Sequence, residues 1–220
     1  MNPVWSEKNK TVQTCLRRES TFGEGIGTLL TLRDELMGAL CEMKCSLRAE
    51  DFYAMPFPKA KGYHSKTIAY SVWHIARIED IVAHDLILRD IEIFSSCERI
   101  GSPLITTGNE LVGEQIAQFS EKLDIDELYA YAAAVKSSTD EMLKKLSYSD
   151  LKQRFDDSDK ERLRSLRVVS TDENACWLID YWCGKDILGL IEMPFSRHII
   201  MHVEASLRIK NKITSKGTSL

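Results

Sequence analysis

Proline and glycine are scarce, at 5 and 11 of 220 residues. Proline lacks a backbone donor and glycine carries extra conformational entropy, so a chain poor in both can sustain long helices. Alternation of apolar and polar residues, the mark of a half-buried strand, is nearly missing, which argues against a sheet. No apolar run approaches the roughly 20 residues that a spanning helix needs, so a membrane is not an expected partner. Lys and Arg do not cluster and the net charge is −4. Nucleic acid is not expected either, because phosphate binding depends on clustered cations. The opening residues "MNPVWSEKNK" hold no apolar stretch of the signal-peptide kind, so the expected location is the cytoplasm. The six cysteines include no C-x-x-C and read as reduced, small core residues. Cys41 and Cys45 stand four apart, but no second pair or nearby histidine completes a metal set. No G-x-S-x-G element, P-loop or dinucleotide fingerprint occurs.

What is present is helical patterning. Residues 1–20 read as a polar lead-in and 21–220 as one helical domain. Spaced Leu and Met predict a helix over 26–48, followed by the Pro- and Gly-bearing loop "DFYAMPFPKAKGYHS". A second helix is expected over 66–93, capped by Ser65 or Thr67. After the loop "SSCERIGSPLITTGNE", a short helix fits 109–121. Asp124 with Glu127 reads as a capping box opening the next long helix. Ser147 is a cap candidate for the charged stretch "DLKQRFDDSDKERLRSL", which suits a solvated helix or a loop. Residues 167–169 read as a short extended piece, and Ser170 with Glu173 as a further capping box. Pro194 suits the first turn of the last helix. The expected fold is all-α: four principal helices in a bundle, with additional short helices.

The histidines carry the chemistry. In "RHIIMHVEASLRIK", His198 and His202 are four apart and share the apolar stripe with Phe195, Ile199 and Ile209. Two readings stand level for such a pair: core histidines satisfied by carbonyls or carboxylates, or imidazoles converging on one ion. His74, in "SVWHIARIED", flanks the apolar stripe of the second helix, close to Ile78 and Ile81. A histidine on one helix and an H-x-x-x-H pair on a packed neighbour can surround an ion from two sides. His64 reads as a loop surface residue, and His84 as facing solvent with Arg77 and Asp80. Glu79 borders the buried stripe; a salt bridge to Arg or Lys is favoured over a role as base or imidazole partner. Asp80 and Glu204 read as solvated.

"SVWHIARIED" and "MPFSRHIIMHVEASLRI" together resemble the DinB/YfiT-like superfamily. The resemblance implies a four-helix bundle and a three-histidine metal site, whose ligands fall on His74, His198 and His202. Many members carry Gly and Gln after the second histidine of the last motif; here Val203, Glu204 and Ala205 follow it. Three imidazoles leave a coordination position open, as in catalytic rather than structural sites. The expected cofactor is a divalent ion, zinc or nickel. The expected function is a metal-dependent hydrolase or thiol transferase, with a non-catalytic metal-bound bundle in a binding or stress-response role as the alternative. The expected partners are a small-molecule substrate, with a low-molecular-weight thiol as one candidate, and a second copy of the chain.

Overall fold

The computed structural model describes residues 2–217. Met1 of the expected lead-in and residues 218–220 of the expected domain lie outside them. Helix is the only regular structure among the described residues, with one isolated bridge between Arg154 and Asp186. The helices are α1 (Pro3–Cys15), α2 (Phe22–Ser46), α3 (Ile68–Asp80), α4 (Glu114–Ser120), α5 (Ile125–Lys145), α6 (Asp157–Leu166), α7 (Trp177–Cys183), α8 (Ile187–Glu192) and α9 (His198–Gly217). Among the described residues, no helix is long and apolar enough to cross a membrane.

The expected lead-in is instead a helix. Asn2 caps it by accepting the N–H groups of Val4 and Trp5, and Pro3 occupies the first turn, where its missing donor costs nothing. Trp5, Val12, Cys15 and Leu16 are buried, and α1 packs along α2. α3 lies against α5 and α9, while α2 also touches α5 and α9. Every residue of α3 is buried. Thr67 starts it by accepting the Tyr70 N–H at 3.0 Å, and bonds the Ser120 hydroxyl at 2.6 Å. A helix enclosed on all sides has no polar face to spend on water, so its charged residues must find partners inside.

They do. Asp80, expected to be solvated, is fully buried. It accepts the backbone N–H groups of Ile93 and Phe94, each at 2.9 Å, the Tyr131 hydroxyl at 2.8 Å and an Arg77 N–H at 3.2 Å. Glu79 holds Arg33 of α2 in a two-pronged pair at 2.6 and 3.1 Å, so the favoured salt-bridge reading stands. Arg33 also donates to Asp140 of α5 at 2.6 Å and to the Phe195 carbonyl at 3.2 Å, tying four segments together.

Element boundaries depart from expectation in places with clear causes. The second helix is regular only to Asp80; Ile81–Leu88 widens into π-type turns and stops at Arg89, whose φ of 56° is left-handed. Before α9, Met193–Arg197 is likewise π-type. Pro194 has no N–H, so the usual ladder cannot continue through it. The Asp124 cap of α5 holds, accepting the Glu127 N–H at 3.0 Å. The Ser170–Glu173 box does not form; α7 begins at Trp177 instead, and Asp186 caps a separate α8 through the Gly189 N–H. Residues 167–169 form no strand, because Arg167 takes a left-handed turn ending α6. The charged stretch resolves into a short turn and α6, capped by Asp156 rather than Ser147. All six cysteines are free, but Cys41, Cys45 and Cys176 are exposed, so the expectation of core cysteines holds for Cys15 and Cys183 only.

Candidate functional site

α3 and α9 pack against each other, and this contact brings His74 face to face with His198 and His202. The ring centroids are 5.1 Å apart for His74 and His198, 4.9 Å for His74 and His202, and 4.7 Å for the pair on α9. One ligand atom from each lies within 4.8 Å of the other two. Two nitrogens bound to one ion at about 2.1 Å are at most about 4.2 Å apart, so the three have to draw closer than that bound to share one ion. All three side chains are buried, at 5, 7 and 2 % exposure.

Hydrogen bonding separates the committed ring nitrogen of His74 from those left without a partner. The Nδ1–H of His74 donates to the Thr107 carbonyl at 2.7 Å, which leaves Nε2 as the free lone pair. Nδ1 of His198 and both ring nitrogens of His202 are buried without a hydrogen-bond partner. Buried polar atoms are rarely left so, and the expected core-histidine partners, a carbonyl or a carboxylate, are missing for this pair. Burial depresses the basicity of all three. His74 is lowered to about 4, chiefly by desolvation, and His198 and His202 lie well below the ordinary value for the same reason, reinforced by the neighbouring imidazoles. Neutral imidazole is the form that binds a cation. The donor set, its burial and its protonation state therefore fit a divalent ion, and the three histidines could hold one.

The cluster forms part of the wall of a cavity of about 330 Å³, partly open to solvent. The cavity lies where the two apolar clusters of the core meet, with Tyr70 from one and Ile78, Leu178 and Trp182 from the other. Tyr63 caps His202 edge-on at 4.7 Å, and Tyr70 stacks on His74 at 5.4 Å with planes 12° apart. Trp177, 48 % exposed, stands at the mouth. Lys66 and Asn109 complete the polar lining, and no carboxylate takes part in it.

The loop before α4 supports the site in a way that sequence reasoning missed. Thr107 supplies the carbonyl to His74, and Gly108 accepts the Tyr70 hydroxyl at 3.0 Å. Gly108 has a φ of 78°, and a Cβ there would stand 3.1 Å from Tyr70 Cε2. Gly108 within a loop was the visible signal, but nothing local tied it to His74, 34 positions earlier.

The remaining histidines stay apart from the cluster. His84, expected to face solvent, is 4 % exposed and sits between Asp90 at 2.7 Å and the Ser138 hydroxyl at 3.0 Å. α5 and the turn after the π-type segment cover the side expected to be wet. His64 is half-buried in the turn Gly62–Ser65. Glu204 is half-buried and accepts the Asn2 N–H rather than standing in solvent. Among the described residues, Cys41 and Cys45 join no metal-competent group. No family model matches the chain, and no curated protein matches it.

Proposed function

We propose that this protein is a metal-dependent enzyme of DinB/YfiT-like type. In this reading α2, α3, α5 and α9 are the four helices of the bundle, and His74, His198 and His202 hold zinc or nickel. The observation that carries it is the meeting of three buried, neutral imidazoles in the wall of a cavity large enough for a small molecule. Among the described residues no fourth His, Cys, Asp or Glu joins the group, which supports an open, reactive position over a sealed structural site.

A divalent ion in this place supplies Lewis acidity, lowering the pKa of bound water toward 7 or of a bound thiol below its free value. The chain's own groups do the rest. Thr107 fixes the His74 tautomer, so that Nε2 is the lone pair directed away from the loop. Tyr63 holds the His202 ring edge-on and Tyr70 holds the His74 ring by stacking, and Trp182 and Leu178 add apolar wall to the cavity. Glu79 is committed to Arg33 and lines no part of the cavity, so it is not a base for this site. The lining offers no carboxylate to take a proton from water. Without such a base the nucleophile must ionise on coordination alone, and a thiol, far more acidic than water before it binds, does so more completely at neutral pH, which favours transfer of a low-molecular-weight thiol over hydrolysis.

Cobalt substitution tests this. One Co(II) per chain is expected, with its visible spectrum abolished in His74→Ala, His198→Ala and His202→Ala. Cysteine or 2-mercaptoethanol should add a sulfur-to-metal charge-transfer band. Cobalt binding that survives in all three variants refutes the site. A spectrum indifferent to both thiols removes thiol transfer and leaves hydrolysis.

A further inference from the structure

The cavity wall carries an ammonium and no counter-charge. Lys66 lies immediately before the Thr67 cap of α3, half-buried, with its Nζ 4.9 Å from the centroid of the Tyr70 ring. Among the described residues it has no ion-pair partner, and its ammonium lies over the aromatic face of Tyr70. The charge of Glu110 reaches Tyr70. Glu110 accepts the Thr106 hydroxyl and forms no part of the wall. Desolvation lowers the basicity of Lys66, as expected for a cation withdrawn from water without a carboxylate. The same positive charge is felt by His74 and His202.

From this we infer that the cavity binds a small organic anion with an aromatic or apolar body, its carboxylate held by Lys66. The inference rests on the proposed function for the ion alone; the lysine and the apolar wall stand without it. A half-buried ammonium gains most from an acceptor that brings its own negative charge. With a dication on the three imidazoles, the cavity would hold two cationic centres and no acid, so a neutral ligand would leave both uncompensated in a poorly solvated space. The rest of the wall specifies the ligand's body. Trp177, Trp182 and Tyr181 present flat apolar surfaces that suit a ring, and the volume of about 330 Å³ limits it to a small molecule. Asn109, Tyr63 and Tyr181 add uncharged polar side chains to the same wall. Substrate selection therefore follows charge and shape: an aromatic acid enters, and the matching alcohol gains only the apolar contacts.

Benzoate and benzyl alcohol make the comparison on the full chain, followed by the fluorescence of the lining tryptophans. The zinc-loaded parent should bind benzoate, and Lys66→Gln should weaken it by about tenfold or more, the scale of one lost charge-assisted bond. Lys66→Arg, which keeps the charge, should remain within a few-fold of the parent. Benzyl alcohol should bind weakly to parent and Lys66→Gln alike. The titration is repeated on chelator-treated protein. Benzoate binding that persists there and still depends on Lys66 upholds the lysine site even if the histidines hold no ion. A parent that does not bind benzoate, equal binding by parent and Lys66→Gln, or benzyl alcohol binding as tightly as benzoate each overturns the inference, whatever the cobalt spectrum shows.

Discussion

The Nδ1–H of His74 donates to the carbonyl oxygen of Thr107 across 2.7 Å, joining the most enclosed helix of the protein to an irregular loop. This bond decides the tautomer of His74 and therefore which nitrogen can coordinate. The same loop is held by the Tyr70 hydroxyl on the Gly108 carbonyl. The loop thus orients the ring without contributing a ligand.

Gly108→Ala tests that dependence. Its φ of 78° disfavours any side chain, and the new Cβ would press on Tyr70 at 3.1 Å. The expected cost is about 1–2 kcal/mol of stability from the left-handed backbone alone. Displacing the Thr107 carbonyl should weaken metal binding by roughly 10- to 100-fold, the usual effect of losing a ligand's supporting bond. Chelator competition measures the second effect and chemical unfolding the first. Unchanged metal affinity would show that the Thr107 bond is dispensable.

His84 supplies a contrast within the same chain. It is 4 % exposed and bonded to Asp90 and Ser138, so His84→Ala leaves two partners behind and should cost about 1–3 kcal/mol. Metal content per chain should stay at the parent value. Metal analysis beside a urea titration separates the two effects, and a loss of metal in folded His84→Ala contradicts the assignment of ligands.

The metal-free chain should be acid-sensitive through its histidines. Burial puts the folded-state pKa of His74 at about 4, below the ordinary 6.5, and those of His198 and His202 well below it. Between these values the unfolded chain binds protons that the folded chain refuses. Stability is therefore fully present above about pH 6.5 and is lost as pH falls toward 4, at about 1.4 kcal/mol per pH unit for each histidine involved. Urea unfolding at pH 7.5 and pH 5 should show the decline, and His74→Gln should make it shallower. Equal stability at the two pH values would count against neutral buried imidazoles.

Arg33→Met should be among the most damaging single changes. It leaves Glu79 buried without its two-pronged partner, and removes the bonds to Asp140 and the Phe195 carbonyl. The expected loss is about 3–5 kcal/mol, the cost of stranding a buried charge. Adding Glu79→Met should recover part of it, since the stranded carboxylate is then gone. The pair of unfolding curves checks this; a double variant less stable than Arg33→Met would mean that Glu79 stabilises the fold through some other contact.

The amino-acid sequence by itself determined the helical class, the α5 cap at Asp124 and the facing of His198 and His202 along one helix. These follow from local periodicity and from side chains that bond within three or four residues. It also held a cap signal in Asn2 and Pro3 that marks α1, although the polar composition of residues 1–20 obscures it. Tertiary structure decided the rest. A helical wheel separates wet from dry faces only when one side meets water. α3 and the first six residues of the π-type segment after it meet protein on every side, so Asp80 and His84, polar by pattern, became buried and bonded. His74 and Lys66 belong to the α3 stretch, the Thr107 carbonyl to the loop before α4 and the other two imidazoles to α9, and that they meet at one cavity depends on how α3 and α9 pack. That packing is set by the summed fit of many apolar side chains, which no short stretch of sequence encodes.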